Sequence, residues 1–592
     1  MSDSDVAAQV RRLIGRTEYL AAFDVADRAL AEQPHDVALQ HLAVLALARA
    51  GATDNAADRL MRSGLLAHAD ECDDELAEDV LALEARVSKD RAFAAPTNQR
   101  RALAEVAAAQ YDVVFERFHR TYTGINAATM WCAAGQQDRA RTSAAEVLSL
   151  LSADVDYWAA ATRAEALLLL GDLAGVYDAL TIADAANGDL ASRASTRRQL
   201  AMICDELGID TDVLRALAVP SVVHYCGHLP GEASNDAGRM RGDDEQRVAR
   251  LVRAFMDRHR SVIAHGSLAA GADIIIAEAV LEAGGEVHVV LPFPAQEFEL
   301  SSVRDAGVDW LSRYRSCLER VTSSTVVTAR RHGDDDAAYA YCSAIAMGTV
   351  VVQARFMAAR AEQLAVWDGQ PPDGEAGTAA DVARWRRTGL PSTIVDVAST
   401  TNAKTAAAPS APTARGLRAL LFADVKGYSS LADEQIPVFV AQVLGPLSRV
   451  LDRAGIHFRN GWGDALYLVI DDVSIAADVA LSLQEAMESI DLERVGLPAL
   501  RLRVGVHAGP VLMLHDPVRD EPSFFGEHVT RAARIEPVTP PGAVFVTSAF
   551  ASLLALDDPD SYVCEYVGQV PMAKNYDTVP MHHLRRSRPS LP

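Results

Sequence analysis

The sequence predicts three folded modules in series, all-α, then α/β, then α+β, and three observations carry that reading. Residues 1–215 are rich in Ala and Leu, sparse in Gly, and return apolar side chains every three or four positions. Residues 218–397 alternate short β-branched runs with helical stretches. Residues 416–585 again mix strands and helices, behind a 398–415 stretch of Ala, Pro, Ser and Thr that reads as a flexible linker. At 592 residues and 63.4 kDa the chain is too long for one domain. A formal charge of −24 argues against a general nucleic-acid or membrane-surface binder, because anionic phosphates would be repelled overall. No stretch reads as 18 uncharged apolar residues, and the start MSDSDVAAQVRRL lacks an apolar signal core. The expectation is a cytoplasmic protein without a membrane span. Seven cysteines with no C-x-x-C pair fit reduced thiols and argue against a structural zinc site.

In the first module, AAFDVADRALAEQPHDVALQHLAVLALARAG has the helix-turn-helix cadence of tetratricopeptide-type repeats, and the segment at 156–180 repeats it. The expectation is an irregular helical solenoid. Three pieces, VSKDR (Val87 to Arg91), TGINAATMWCAAG (Thr123 to Gly135) and DYWAAATRAEALLLLGD (Asp156 to Asp172), also resemble the TRAF-binding helical region of apoptosis-signal-regulating kinases. That resemblance implies a regulatory or oligomerising module with a protein partner; a plain scaffold with a peptide groove is the alternative.

In the second module, SVVHYCGHLPG reads as a strand entering a Gly/Pro loop. SVIAHGSLAAGADIIIAEAVLEAGGEVHVVLPF reads as strand, turn, helix and strand, which implies a parallel sheet. STVVTA, AEQLAVWDG and STIVDV supply further strands. Gly266, Gly271 and Asp273 fall where a strand hands over to a helix N-terminus, the place where a doubly wound sheet binds phosphates. His224, His228 and His265 have no metal-ligand spacing and read as loop or core polar groups. GSLAAGADIIIAEAVLEAGG and WDGQPPDGEAGTAADVARW resemble the SLOG superfamily of Rossmann-like domains. The resemblance implies a nucleotide ligand, sensed rather than transformed, because GEAGT (Gly374 to Thr378) only loosely matches the family's GGxGT.

In the third module, an apolar strand from Leu420 to Ala423 delivers Asp424 at its end, and Val425, Lys426 and Gly427 turn the chain away. A hairpin follows: Phe458, Asn460-Gly461, then Leu466 to Ile470 returning, with Asp464 at the bend. Two carboxylates, each where a strand meets a turn, offer what a divalent cation needs when triphosphate oxygens complete its shell.

The pieces FADVKGYSSL, GWGDA, RVGVHAGPV, FGEHVTRAARI and PPGAVFVT together resemble the catalytic domain of class III nucleotidyl cyclases, the adenylate and guanylate cyclase family. The resemblance covers about residues 415–555 and implies a ferredoxin-like α+β fold. It implies that Asp424, Asp464 and the Val425 carbonyl hold two Mg²⁺ or Mn²⁺ ions, and that Arg534 steadies the α-phosphate in the transition state. It further implies a homodimer with composite sites, because the family joins its metal aspartates and its arginine across two domains. Three positions depart from the family. Thr530 stands where an asparagine is usual, and Asn460 and Ser523 occupy the two base-reading positions in place of the usual Lys or Glu and Asp or Cys. ATP is the first expectation for substrate and a pyrimidine nucleotide, as in anti-phage defence cyclases, the alternative. A degenerate, nucleotide-binding sensor is the competing reading, supported by Thr530 and opposed by Asp424, Asp464 and Arg534.

Overall fold

A computed structural model of the chain describes residues 3–95, 97–151, 156–186, 188–231, 240, 242–259, 261–333, 335–372, 374–397, 415–452 and 455–587. The expected linker at 398–415 lies outside the described residues except for Arg415, and so does the tail from 588 onward.

Eleven α-helices run between Asp3 and Leu207 among the described residues. Asp36, Asp73, Asp156, Asp172 and Asp189 start five of them, each accepting the backbone N–H three residues on at 2.7–3.0 Å. Such a cap is worth about 1 kcal/mol, and it gives part of the acidic excess a structural role. Successive helices pack as neighbours, as a repeat array does. The last of the eleven, Leu190–Leu207, packs back on Thr121–Ala133, on Tyr157–Leu170 and on the first helix, Asp3–Gly15.

The second module holds a six-stranded sheet: β1 (Ser221–Gly227), β2 (Val262–Gly266), β3 (Glu286–Leu291), β4 (Ser323–Val326), β5 (Ala361–Trp367) and β6 (Ser392–Asp396). Its order is β4-β3-β2-β1-β5-β6 and every pair is parallel. The chain winds outward on both sides of β1, so a topological switch point lies there. β1, β2 and β5 are apolar and buried nearly end to end, as strands covered on both faces must be.

The helix Asp336–Phe356 covers one face of this sheet, and it corrects the sequence reading on membrane spans. By length and composition it is apolar enough to cross a bilayer. Yet 72% of its most apolar window is buried inside the protein. One side packs on β1, β2, β3 and β5, and another on the helix Ser548–Asp557 of the third module. A helix buried between two layers is apolar all round.

The third module is built on β7 (Arg415–Lys426), β8 (Ile456–Trp462), β9 (Ala465–Ile470), β10 (Arg501–Asp516), β11 (Glu521–Phe525), β12 (Val544–Thr547), β13 (Tyr562–Pro571) and β14 (Thr578–Arg586). The order is β13-β14-β12-β10-β7-β9-β8, with β11 paired to β10. The hairpin turn falls at Gly463 and Asp464, with Gly463 left-handed (φ 65°), while Asn460 and Gly461 lie inside β8. Arg585 and Arg586 belong to β14 and pair with Glu565 at 3.2 Å and with Glu485 and Asp478 at 2.7 and 2.8 Å.

The third module is docked on both others. Tyr341 of the buried helix donates to the Ala508 carbonyl at 2.8 Å. Arg415, the first residue of β7, pairs with the buried Asp335 that caps the same helix. From the solenoid side, the Asp54 N–H donates to Glu565 at 2.8 Å, Asn55 to the Tyr566 carbonyl at 2.9 Å, and the Tyr566 hydroxyl to Asp24 at 2.7 Å. The seam with the parallel-sheet module is tight at Gly348, where a Cβ would sit 2.0 Å from the Ser552 carbonyl oxygen. Gly348→Val is therefore expected to destabilise the docked state by about 1–3 kcal/mol, the usual range for overpacking. Calorimetry should show the melting transition lowered or split in two; an unchanged single transition would refute the seam.

Candidate active site

Strand pairing assembles the site. β7 runs antiparallel between β9 and β10, so Asp424 lies opposite Ala465 on one side and Arg503 on the other. The Val425 N–H reaches across to the Asp464 carbonyl at 3.3 Å, which locks the hairpin turn against the end of β7. Asp424 and Asp464 are thereby side by side, 40 residues apart in sequence. Burial and the neighbouring Asp424 carboxylate raise the Asp464 carboxyl above its ordinary value.

Two residues that sequence reasoning missed complete the cluster. Arg503 donates to Asp424 Oδ2 at 2.5 Å and lies 2.8 Å from Glu536 Oε1. Burial, with Asp424 and Asp464 adding to it, pushes the Glu536 carboxyl up to about 7 even against the opposing pull of Arg503. Three carboxylates thus share one guanidinium. An acidic pair in excess over its counter-charge fits a divalent cation. Among the described residues no three His, Cys, Asp or Glu side chains form a metal cage. An ion held here would draw its other ligands from the backbone and from substrate oxygens.

The RVGVHAGP segment of β10 explains why its glycines are bare. A Cβ on Gly505 would lie 2.6 Å from the Glu536 N, and one on Gly509 would lie 2.2 Å from His528 Nδ1. The absent side chains let the segment from Glu527 to Val538 lie directly on the strand. Two buried histidines fasten it: His507 meets Thr547 Oγ1 at 2.8 Å and His528 Nδ1 at 2.9 Å. Burial lowers both, His528 to about 3, so both are neutral.

Thr530 and Arg534 ride on this segment. Thr530 is exposed and its hydroxyl makes one long contact, 3.4 Å to the Gly526 carbonyl. The Arg534 Nε is buried without a partner. No hydrogen bond or ion pair joins either residue to Asp424 or Asp464 among the described residues. Asn460 is half-buried on β8 and Ser523 is buried on β11, strands that touch through the Phe458–Phe524 ring contact at 5.9 Å; the two residues share no hydrogen bond among the described residues. Elsewhere on this domain Trp462 (88% exposed), Val518 (91%) and Leu514 (51%) are large apolar side chains open to solvent.

In the parallel-sheet module, Gly266 and Gly271 have a packing reason. Their Cβ atoms would strike the Tyr225 and His228 carbonyl oxygens at 2.6 Å, and Gly271 is left-handed (φ 95°). Asp273 accepts the Ala269 N–H at 3.2 Å, leaves Oδ1 unpartnered, and is pushed up to about 7 by burial. His224 stacks on Trp385, His265 on His288, and His228 pairs with Asp368 at 3.1 Å.

Residues 417–585 match the family model of the adenylate and guanylate cyclase catalytic domain, and residues 18–131 match that of the tetratricopeptide repeats-sensor. The C-terminal unit is a class III adenylate/guanylate cyclase catalytic domain. The N-terminal helices carry a tetratricopeptide repeats-sensor domain. An adenylate cyclase of Anabaena cylindrica is 26% identical over 172 residues, covering 27% of this chain and 34% of that protein. A putative adenylate cyclase 3 of Rhizobium meliloti (strain 1021) is 30% identical over 138 residues, covering 22% of each. The chain thus spans about a third or less of the length of these relatives. The adenylyl cyclase CyaB from P. aeruginosa aligns at 19% identity over 30% of this chain and 98% of that one, with a TM-score of 0.27.

The charge excess yields a test independent of turnover. Mn²⁺ at neutral pH is expected to raise the melting temperature by several degrees, because it binds the folded acidic pair and not the unfolded chain. The rise should vanish in Asp424→Asn; an equal rise in both proteins would place the ion elsewhere.

Proposed function

We propose that this protein converts a nucleoside triphosphate, ATP first, into its 3′,5′-cyclic nucleotide and pyrophosphate. The observation that carries the reading is the abutting Asp424–Asp464 pair, short of counter-charge, in a domain of the cyclase family. The 3′-hydroxyl oxygen forms the new bond to the α-phosphorus, the bond to the bridging oxygen of pyrophosphate breaks, and the hydroxyl proton leaves to solvent. Asp424, Asp464 and the Val425 carbonyl would hold two Mg²⁺ or Mn²⁺ ions, which supply neutralisation of phosphate charge and a more acidic 3′-hydroxyl when bound. Arg503, which donates to Asp424 and pairs with Glu536, sets a planar guanidinium beside the two aspartates for phosphate oxygens. Arg534 opposes charge developing on the α-phosphoryl group, and Thr530 donates one hydrogen bond beside it. Asn460 and Ser523 read the base.

The site is shared by two chains. Arg534 and Thr530 make no contact with the aspartates of their own chain, and Trp462, beside the aspartate end of the sheet, is exposed and free to meet a second copy. For the parallel-sheet module we propose SLOG-like, Rossmann-type nucleotide sensing at Gly266, Gly271 and Asp273. The buried carboxyls of Asp273 and Asp381, each with an unpartnered oxygen, suit hydroxyl donors such as those of a ribose. The small, neutral side chains of Asn460 and Ser523 favour a pyrimidine product as the second reading.

Incubating the purified chain separately with ATP, GTP, CTP and UTP and Mn²⁺, with products read by mass spectrometry, tests this. One cyclic product is expected, lost in Asp424→Ala and reduced by about 10²-fold or more in Arg534→Ala, the usual scale for removing a transition-state donor. No cyclic product from any of the four, from chain shown to be dimeric, would overturn it in favour of a nucleotide-binding sensor.

A further inference from the structure

Four basic side chains gather in the helical module of a chain whose formal charge is −24. They are Arg49 on the helix Val37–Arg49, Arg86 and Lys89 on Asp74–Ala94, and Arg198 on Leu190–Leu207. Arg86 lies within electrostatic reach of each of the other three. The Tyr19 hydroxyl stands among Arg49, Arg86 and Arg198, and Tyr122, 39% exposed, faces Arg86 and Arg49.

Only one of the four has a carboxylate partner. Arg86 donates to Asp90 at 2.9 and 3.2 Å. Lys89, 5% exposed, donates to the amide oxygens of Asn126 at 2.7 Å and Gln199 at 3.0 Å. Arg198 donates to the carbonyls of Arg355 and Phe356 at 3.2 and 2.8 Å. Arg49 makes no hydrogen bond or ion pair among the described residues, and its Nε is buried without a partner. The nearby acids are committed elsewhere or have their ionisation weakened by burial, as Lys89 does, lowered to about 7. Asp189 caps its helix, Glu165 accepts from Thr129 and Gln199 and is pushed up to about 7, and Asp79 is pushed up to about 6.

Arg49 brings a half-buried guanidinium whose Nε has no acceptor, and Arg49, Arg86 and Arg198 with the single carboxylate of Asp90 between them suit a multiply charged anion. We propose that this cluster is a binding site for a phosphate-bearing small molecule, gripped by Arg49, Arg86 and Arg198. Planar guanidinium forks match phosphate oxygens two at a time. The three sequence pieces that the cyclase reading leaves unused meet here. Lys89 comes from Val87–Arg91, Asn126 and Thr129 from Thr123–Gly135, and Glu165 from Asp156–Asp172, and their hydrogen bonds fix the Lys89 amino group beside Arg86. The site also borders the buried helix that docks the cyclase domain. Arg198 holds that helix's last carbonyls, and Tyr19 packs edge-on against Phe356 at 5.9 Å.

The test uses the full chain with EDTA present. Inorganic phosphate and, in a second arm, AMP are titrated by calorimetry, with chloride at matched ionic strength as control. Saturable binding of at least one is expected, weakened about tenfold or more in Arg49→Gln by loss of a charged hydrogen-bond donor. Arg49→Gln without ligand should melt at or above the wild-type temperature, because it removes an unpaired charge. AMP binding tighter than phosphate identifies a nucleotide ligand, and equal binding identifies the phosphate group alone. Absence of saturable binding by both, equal binding by Arg49→Gln, or a lower melting temperature of that variant without ligand would each overturn the site.

Discussion

The register between β7 and β10 is the constraint on which both the candidate site and its docking depend. Twelve cross-strand pairs run from Arg415–Leu512 to Lys426–Arg501. They place Asp424 opposite Arg503 at one end of β7 and Arg415 beside Asp335 at the other. A slip of one residue would turn every side chain of β7 to the opposite face. It would take Asp424 away from Asp464 and bury a charge where Leu420, Leu421 and Ala423 now pack. The apolar run ahead of Asp424 fills the buried centre of the sheet on both faces and so brings the carboxylate to the strand's end.

The same strand links chemistry to the upstream modules. Its first residue grips the cap of the Asp336–Phe356 helix, which lies against the parallel sheet on one side and the cyclase domain on another. That helix ends at carbonyls held by Arg198 of the solenoid. All three modules therefore meet along one helix, held by Arg198 at its end and packed against the third module at Gly348 and Tyr341.

How much of this was legible in the sequence depended on whether the signal was local. The helical repeats, the strands of the parallel sheet and the Asp424 and Asp464 turns are patterns within a dozen residues, and the structure has them. Asn460-Gly461 misled slightly: the dipeptide favours a turn, but Gly463 and Asp464 take it and leave Asn460 inside β8. Arg503 and Glu536 stood inside segments already singled out, one ahead of VGVHAG and one two residues after Arg534. Nothing local marked them, since their meaning comes from a pairing 79 residues away across the sheet. The Asp336–Phe356 helix escaped notice because Tyr, Ser and Thr interrupt its apolar run, and the two layers that bury it are set by tertiary structure alone. Convergence of Lys89, Asn126 and Glu165 was hidden for the same reason: three helices bring them together.

The central claim is that catalysis uses Asp424 from one chain and Arg534 from another. Mixing Asp424→Ala chains with Arg534→Ala chains tests it most directly. Each variant alone should be inactive, and the mixture should regain cyclase activity, because one of the two sites in a mixed dimer combines an intact aspartate pair with an intact arginine. A mixture as inactive as its parents, with mixed dimers demonstrated, would place both residues in a single chain's site and contradict the account.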